Sequence, residues 1–131
     1  MEQPTPKPSE RLKIRIGDQE HELLMTYGLL TRLTIISSSA DSIIEGTVDP
    51  TSRDAIIITC LTKNGRSGVL DPGFDFEDLD MSVAQVEEIF DWAMSHLIDF
   101  FMRRLEAGAR ISAPYKDRLQ ALTSSIAGSE A

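Results

Sequence analysis

The chain is poor in the residues that build disulfides, zinc sites and covalent catalysis. It has one cysteine, Cys60, and two histidines, His21 and His96. A single cysteine excludes an internal disulfide, which argues against a disulfide-built secreted scaffold and favours a reducing cytosol. The neighbours Ile57 and Leu61 predict that Cys60 is a small buried hydrophobe, because no adjacent base activates its thiol. Neither histidine has a second ligand at the spacing of a zinc site.

Motifs for nucleotide and acyl chemistry are also missing, as are long apolar runs. The chain has no Gly-rich phosphate loop, no Gly-x-Ser-x-Gly and no Cys-x-x-Cys. No run approaches the roughly 20 apolar residues of a membrane span, and residues 1–10 lack the apolar core of a signal peptide. We therefore predict a non-enzyme without catalytic residues, cofactor, metal ion or membrane partner.

Acidic residues are concentrated in the middle of the chain. The formal net charge is −8, and residues 41–99 carry thirteen acids and three bases, a local net charge of −10. Residues 100–131 carry three acids and five bases. A mostly negative field repels phosphate backbones, so nucleic acid is not expected as a partner.

Two local patterns imitate functional sites. Ser95 and His96 are adjacent in a predicted helix and would point about 100° apart, which does not fit a catalytic triad. A calcium loop of the EF-hand type that began at Asp75 would need Gly in place of Asp80 and Glu in place of Val86. The acidic residues between Asp75 and Asp80 are better explained as a solvated loop before a helix N-terminus.

Hydrophobic periodicity predicts a mainly α fold: a small helical domain with an N-terminal β-hairpin and one long central C-terminal helix. Leu12, Ile14 and Ile16 alternate with basic residues and predict the first strand. A turn at Gly17 leads to a second strand over residues 20–25.

Three helices are predicted after the hairpin. In the first, Thr26 caps a helix to about Ile36, with Tyr27, Leu30 and Leu33 on its apolar side. The residues Ser37 to Ser39 predict a break, and the type of a short element over residues 41–46 is not decided by its pattern.

The second predicted helix spans Pro50 to Lys63. Asp49 is a favourable N-cap, Pro50 suits the first helical position, and Asn64-Gly65 predicts a left-handed stop. The alternative is a buried strand, because residues 56–59 are β-branched.

The third and strongest helix begins at Ser82, which forms a capping box with Gln85, and runs to about Ala107 before Gly108. This organisation predicts a flexible lead-in over residues 1–10, one globular domain over residues 11–108, and a flexible or weakly helical tail over residues 109–131.

The helix from Ser82 has more apolar surface than one small domain needs. Apolar residues cover about half of its circumference, and Trp92 stands in the centre of the opposite, polar face. Either another part of the chain or another protein must cover Trp92, since tryptophan is common in cores and at binding hot spots. In the tail, Tyr115, Leu119, Leu122 and Ile126 fall on one stripe. The candidate partner-binding residues are Trp92, Phe100, Phe101, Met102, Tyr115, Leu119 and Leu122.

The order of elements and several short sequence segments resemble those of the tail assembly chaperones of long-tailed, siphovirus-type bacteriophages. The matching segments are Lys13-Ile-Arg-Ile-Gly-Asp, Met25-Thr-Tyr-Gly-Leu-Leu-Thr-Arg-Leu, Asp49-Pro-Thr-Ser-Arg-Asp, Cys60-Leu-Thr, Phe74-Asp-Phe-Glu-Asp-Leu-Asp and Phe90-Asp-Trp-Ala-Met-Ser-His-Leu-Ile-Asp-Phe-Phe. Together they cover roughly residues 12–105.

The resemblance implies a non-enzymatic chaperone in the host bacterial cytoplasm that is absent from the mature virion. It would bind the tape measure protein and help tail tube subunits assemble around it, with a longer frameshifted form recruiting the tail tube protein. We also expect a homo-oligomer. The competing hypotheses are a head-tail or tail completion protein retained in the virion, and an acidic inhibitor that mimics DNA.

Overall fold

The computed structural model describes residues 7–37, 45 and 49–129, with side chains described as far as residue 126. The predicted break at Ser38 and Ser39, most of the undetermined element over residues 41–46, and residues 1–6 of the predicted lead-in lie outside these ranges. By its contacts the chain divides into two units, Met1–Asp99 and Phe100–Ala131.

The chain begins with the predicted antiparallel hairpin. Strand β1, Arg11–Ile16, pairs with β2, Gln19–Leu24, in a register that places Ile16 opposite Gln19. Gly17 occupies the first position of the two-residue turn with a φ of 59°, a left-handed conformation that favours glycine. Alternation buries Ile14 and Leu23. The predicted hairpin is confirmed.

Helix α1, Tyr27–Ile36, follows the hairpin. The Thr26 hydroxyl accepts a hydrogen bond from the Leu29 amide at 3.0 Å, so the predicted N-cap is confirmed. The predicted apolar side is partly wrong: Leu33 is buried as expected, but Tyr27 is 81% exposed and Leu29 is buried instead. The capped first turn therefore points its first residue towards solvent and its third residue towards the core.

Helix α2, Pro50–Leu61, begins at the predicted cap. Asp49 accepts hydrogen bonds from the Ser52 hydroxyl at 2.8 Å and the Thr51 amide at 3.4 Å. The helical prediction is confirmed over the β-branched residues 56–59, and the strand alternative is wrong. The helix ends two residues before Lys63, because Thr62 takes an extended conformation and the Lys63 amide bonds to the Leu70 carbonyl.

The turn after α2 depends on one glycine. Gly68 has a φ of 80°, and a Cβ built on it would lie 2.0 Å from the Thr62 carbonyl oxygen. No side chain fits at this distance. The loop then forms a short 3₁₀ turn, Phe76–Asp78, capped by the carboxylate of Asp75.

Helix α3, Val83–Ser112, is the predicted long helix, and helix α4, Lys116–Ser129, follows a 3₁₀ turn at Ala113–Tyr115. The Ser82 hydroxyl accepts from the Gln85 amide at 3.1 Å, which confirms half of the capping box. The Gln85 side-chain oxygen instead accepts from the Arg15 amide at 3.0 Å and ties the outer edge of β1 to α3.

The predicted end of α3 at Ala107 is wrong. Gly108 keeps a helical conformation, and helix-forming residues continue to Ser112 before Pro114 interrupts the pattern.

The first unit contains most of the buried apolar side chains of the described residues. Buried side chains come from β1, β2, α1, α2 and the first half of α3, and the largest are Ile14, Leu23, Leu29, Leu33, Ile56, Leu61, Ile89 and Leu97. The predicted fold class, mainly α with an N-terminal hairpin and a long C-terminal helix, is confirmed.

Candidate protein-binding surfaces

Trp92 belongs to the core of the first unit and is 7% exposed. Its indole Nε1–H donates a hydrogen bond to the Ser9 carbonyl at 2.8 Å. His96 Nε2 lies 2.7 Å from the same oxygen, and because a carbonyl only accepts, His96 carries a proton on Nε2. The two rings meet edge to face with centroids 5.3 Å apart.

We expected Trp92 to be covered either by another part of the chain or by another protein, and the structure shows that the chain itself covers it. A buried indole whose N–H is satisfied offers no surface to a partner, so Trp92 leaves the set of candidate binding residues. Ser9, which accepts this hydrogen bond, lies within the predicted flexible lead-in, and so does its neighbour Glu10. Glu10 is held as well, because its carbonyl accepts from the Met25 amide at 2.8 Å.

The other six candidates lie in the second unit. Phe100 and Phe101 are half-buried, and their rings meet edge to face with centroids 5.8 Å apart. Met102 is 53% exposed. These three residues are consecutive on a helix, so they point in different directions and do not form one patch.

The structure brings the remaining three candidates together. Tyr115, Leu119 and Leu122 are each more than half exposed, and with Ile111 they form what we call the C-terminal stripe. These four residues, Ser112 and Arg118 line one open concavity of about 460 Å³. Sequence reasoning missed Ile111, four residues before Tyr115, because the helix was expected to end at Gly108.

A second apolar concavity lies wholly in the first unit, and we call it the α2–α3 groove. It measures about 600 Å³. Its lining consists of Arg53, Asp54, Ile57, Phe76, Met81, Val83, Val86, Glu87, Phe90 and Asp91. Val83, Val86 and Phe90 come from the predicted long helix, but no sequence signal indicated that Phe76 and Met81 would join them from the preceding loop.

The chemistry-bearing residues are engaged in structural roles. Cys60 is fully buried, and burial raises the pKa of its thiol to about 12, which agrees with the interpretation of Cys60 as a core residue. The Ser95 hydroxyl donates to the Asp91 carbonyl one turn earlier at 2.8 Å. Within the described ranges, no three His, Cys, Asp or Glu side chains are grouped so that they could hold a metal ion.

In the part of the chain that the structure describes, no helix combines the length and apolarity that crossing a membrane requires. Comparison of the chain with protein-family models, with curated proteins and with solved structures finds no match. The candidate surfaces therefore have to be interpreted from their own geometry.

Proposed function

We propose that this chain is a non-enzymatic tail assembly chaperone of a long-tailed bacteriophage, which binds the tape measure protein through the C-terminal stripe. The observation that carries the proposal is the exposure of this stripe: its four large apolar side chains are between 54% and 61% exposed, at helical spacing, on one concave surface. Large apolar side chains grouped in this way mark interaction sites more often than scattered ones do.

The physical basis is the burial of apolar surface. Fully burying a side chain the size of leucine contributes about 1.5–3 kcal/mol, so four such side chains can support reversible binding after the entropy of association is subtracted. A partner helix with apolar residues at i, i+3, i+4 and i+7 would complement the stripe. A tape measure protein is a long helical chain with apolar stripes of this kind, which would aggregate if uncovered.

The proposal has consequences for partners and location. The protein acts in the host bacterial cytoplasm, forms a homo-oligomer, and is absent from the finished virion. A longer frameshifted form supplies the contact with the tail tube protein. The exposed apolar stripe supports a transient binder, and the resemblance to tail assembly chaperones names its partners.

The test is co-expression with the tape measure protein of the same phage. We expect the wild-type chain to increase the soluble fraction of the tape measure protein and to co-purify with it. The double variant Leu119→Glu/Leu122→Glu should abolish both effects, because two carboxylates on the stripe oppose apolar contact. The control Gln120→Glu/Ser124→Glu adds the same charge on the opposite side of α4 and should leave both effects intact.

An unchanged solubility of the tape measure protein in the presence of the wild-type chain would refute the proposal. Mass spectrometry of purified virions separates it from the alternative of a retained completion protein. The chaperone hypothesis predicts that peptides of this chain are missing from virions, whereas a structural connector would be present in a fixed number of copies.

A further inference from the structure

The α2–α3 groove is an apolar channel with a charged border. Its floor is formed by Ile57 of α2 and Phe90 of α3, which are 3% and 8% exposed. Met81 and Val86 are half-buried along its walls, and Val83 at its end is 74% exposed. Apolar side chains therefore continue from the core to an open surface at this place.

The border of the groove is acidic. Asp54, Glu87 and Asp91 line it together with one cation, Arg53. The Arg53 side-chain Nε lies 3.9 Å from Asp54 Oδ1, at the limit of an ion pair, and both side chains are nearly half exposed. Two carboxylates on the α3 side, Glu87 and Asp91, are exposed. The groove therefore presents a net negative border to any occupant.

The shape and charge of the groove select its occupant. Residues Val83 to Asp91 extend along it for about 12 Å, two turns of helix at 1.5 Å per residue. An apolar channel of this length accommodates the apolar side of a helix, as in other helix-in-groove complexes. Carboxylates along the border attract cationic side chains and repel anionic ones.

We propose that the α2–α3 groove binds an amphipathic helix of a partner protein whose apolar face is flanked by lysine or arginine. Glu87 and Asp91 lie one turn apart on α3 and pair with the cationic flank, while Phe90 and Val86 receive the apolar face. This surface lies in the first unit and uses none of the residues of the C-terminal stripe, so it stands independently of the proposed tape measure contact.

The test uses isothermal titration calorimetry on the full chain with two synthetic peptides. Each is an 18-residue helix with leucines at i, i+3, i+4 and i+7; one has lysines beside the leucines and the other has glutamates there. We expect the lysine peptide to bind and the glutamate peptide not to bind. Glu87→Lys/Asp91→Lys should weaken the lysine peptide about five- to tenfold, the range for two exposed charge pairs.

Two further variants locate the contact. Glu20→Lys/Glu106→Lys makes the same change of net charge at exposed positions that do not line the groove, and it should leave the affinity within about twofold. Val86→Ser removes an apolar side chain from the wall of the groove. It should lower the affinity for the lysine peptide and make the heat-capacity change of binding less negative. Circular dichroism of each variant checks that it is folded, so that a lost contact is distinguished from a lost fold.

Three results would overturn the proposal. Equal binding of the two peptides would remove the role of the acidic border. Equal weakening by the groove and control variants would reduce the effect to net charge. Self-association of the wild-type chain that Glu87→Lys/Asp91→Lys abolishes in sedimentation would make a second copy the occupant. Failure of the tape measure co-expression leaves these titrations unaffected, so the two proposals can fail separately.

Discussion

The two units of the chain differ in how completely they cover their own apolar surface. In the first unit, eight large apolar side chains are less than 2% exposed, whereas Tyr27, Ile35 and Val83 are more than 70% exposed. The outer edge of its hairpin is bonded by Gln85. In the second unit, from Phe100 onwards, large apolar side chains at Met102, Leu105, Ile111 and along α4 are at least half exposed.

Charge divides the chain at the same place. Residues 1–99 carry eighteen acids and eight bases, a net charge of −10, whereas residues 100–131 have a net charge of +2. The first unit therefore contains most of the buried core and the acidic charge, whereas the second unit leaves most of its large apolar side chains exposed. This comparison favours the second unit for the proposed tape measure contact, and the α2–α3 groove of the first unit is a separate proposed surface.

The largest expected effect comes from a matched pair of leucines. Leu97 is fully buried in the first unit and Leu119 is 54% exposed in the second. Leu97→Ala should lower the free energy of unfolding by about 3–5 kcal/mol through the lost burial and the cavity it leaves. Leu119→Ala should change it by less than about 0.5 kcal/mol. Urea denaturation measures both changes in the free energy of unfolding, and similar changes for the two variants would contradict the difference between the units.

Substituting alanine at two glycines should change the stability of the chain in opposite directions. Gly68→Ala places a methyl group on the Thr62 carbonyl in a left-handed conformation and should destabilise the chain by about 2–4 kcal/mol. Gly108→Ala adds a methyl group that meets nothing within 4 Å in α3, and should stabilise the helix by about 0.5–1 kcal/mol. Thermal denaturation measures the shift in melting temperature of each variant, and a higher melting temperature for Gly68→Ala would contradict the tight packing of this turn.

Trp92→Phe should have a smaller effect on stability and none on binding. The variant keeps an aromatic ring but loses the N–H donor to Ser9, which should lower the free energy of unfolding by about 1–2 kcal/mol. Tyr115→Phe, at an exposed ring, serves as the control and should change it by less than about 0.5 kcal/mol. A loss of tape measure binding in folded Trp92→Phe would return Trp92 to the binding surface.

The smallest expected effect is a pH dependence at the start of α2. The hydrogen bond from Ser52, followed by those from the backbone of Thr51 and Ser52, holds the pKa of Asp49 below its ordinary value of 3.8. Since the folded pKa is the lower one, Asp49 stabilises the fold above pH 3.8, and this stabilisation is lost as the pH falls through the folded pKa.

The corresponding measurement compares the wild type with Asp49→Asn in urea at several pH values. The wild type should be more stable at pH 6, and the difference should shrink below pH 4 as Asp49 is protonated. A difference that stayed constant over this range would show that the charge of Asp49 does not contribute.

Local signals predicted the elements of the fold, and long-range contacts decided the rest. Thr26, Asp49 and Ser82 each act on amides two or three residues away, so the helix starts could be inferred from neighbours in sequence. The end of α2 could not, because Thr62 and Lys63 turn to meet Leu70. The same holds for Gln85, whose bond to Arg15 joins residues 70 positions apart.

The candidate sites also divide into features that sequence neighbours determine and features that long-range contacts determine. The C-terminal stripe follows from helical periodicity, and three of its four members were identified by their spacing. Trp92 was misplaced as a candidate because its cover is the backbone carbonyl of Ser9, 83 positions earlier, and a carbonyl has no sequence signature. The α2–α3 groove was missed because its walls come from an irregular loop as well as from α3.

The central claim, that the second unit carries the tape measure contact, is tested most directly by amide hydrogen exchange with and without the tape measure protein. The account predicts slower exchange over residues 111–122 in the complex and no change over α2, whose amides the core already protects. Protection confined to residues 7–99, with unchanged exchange over residues 111–122, would contradict it.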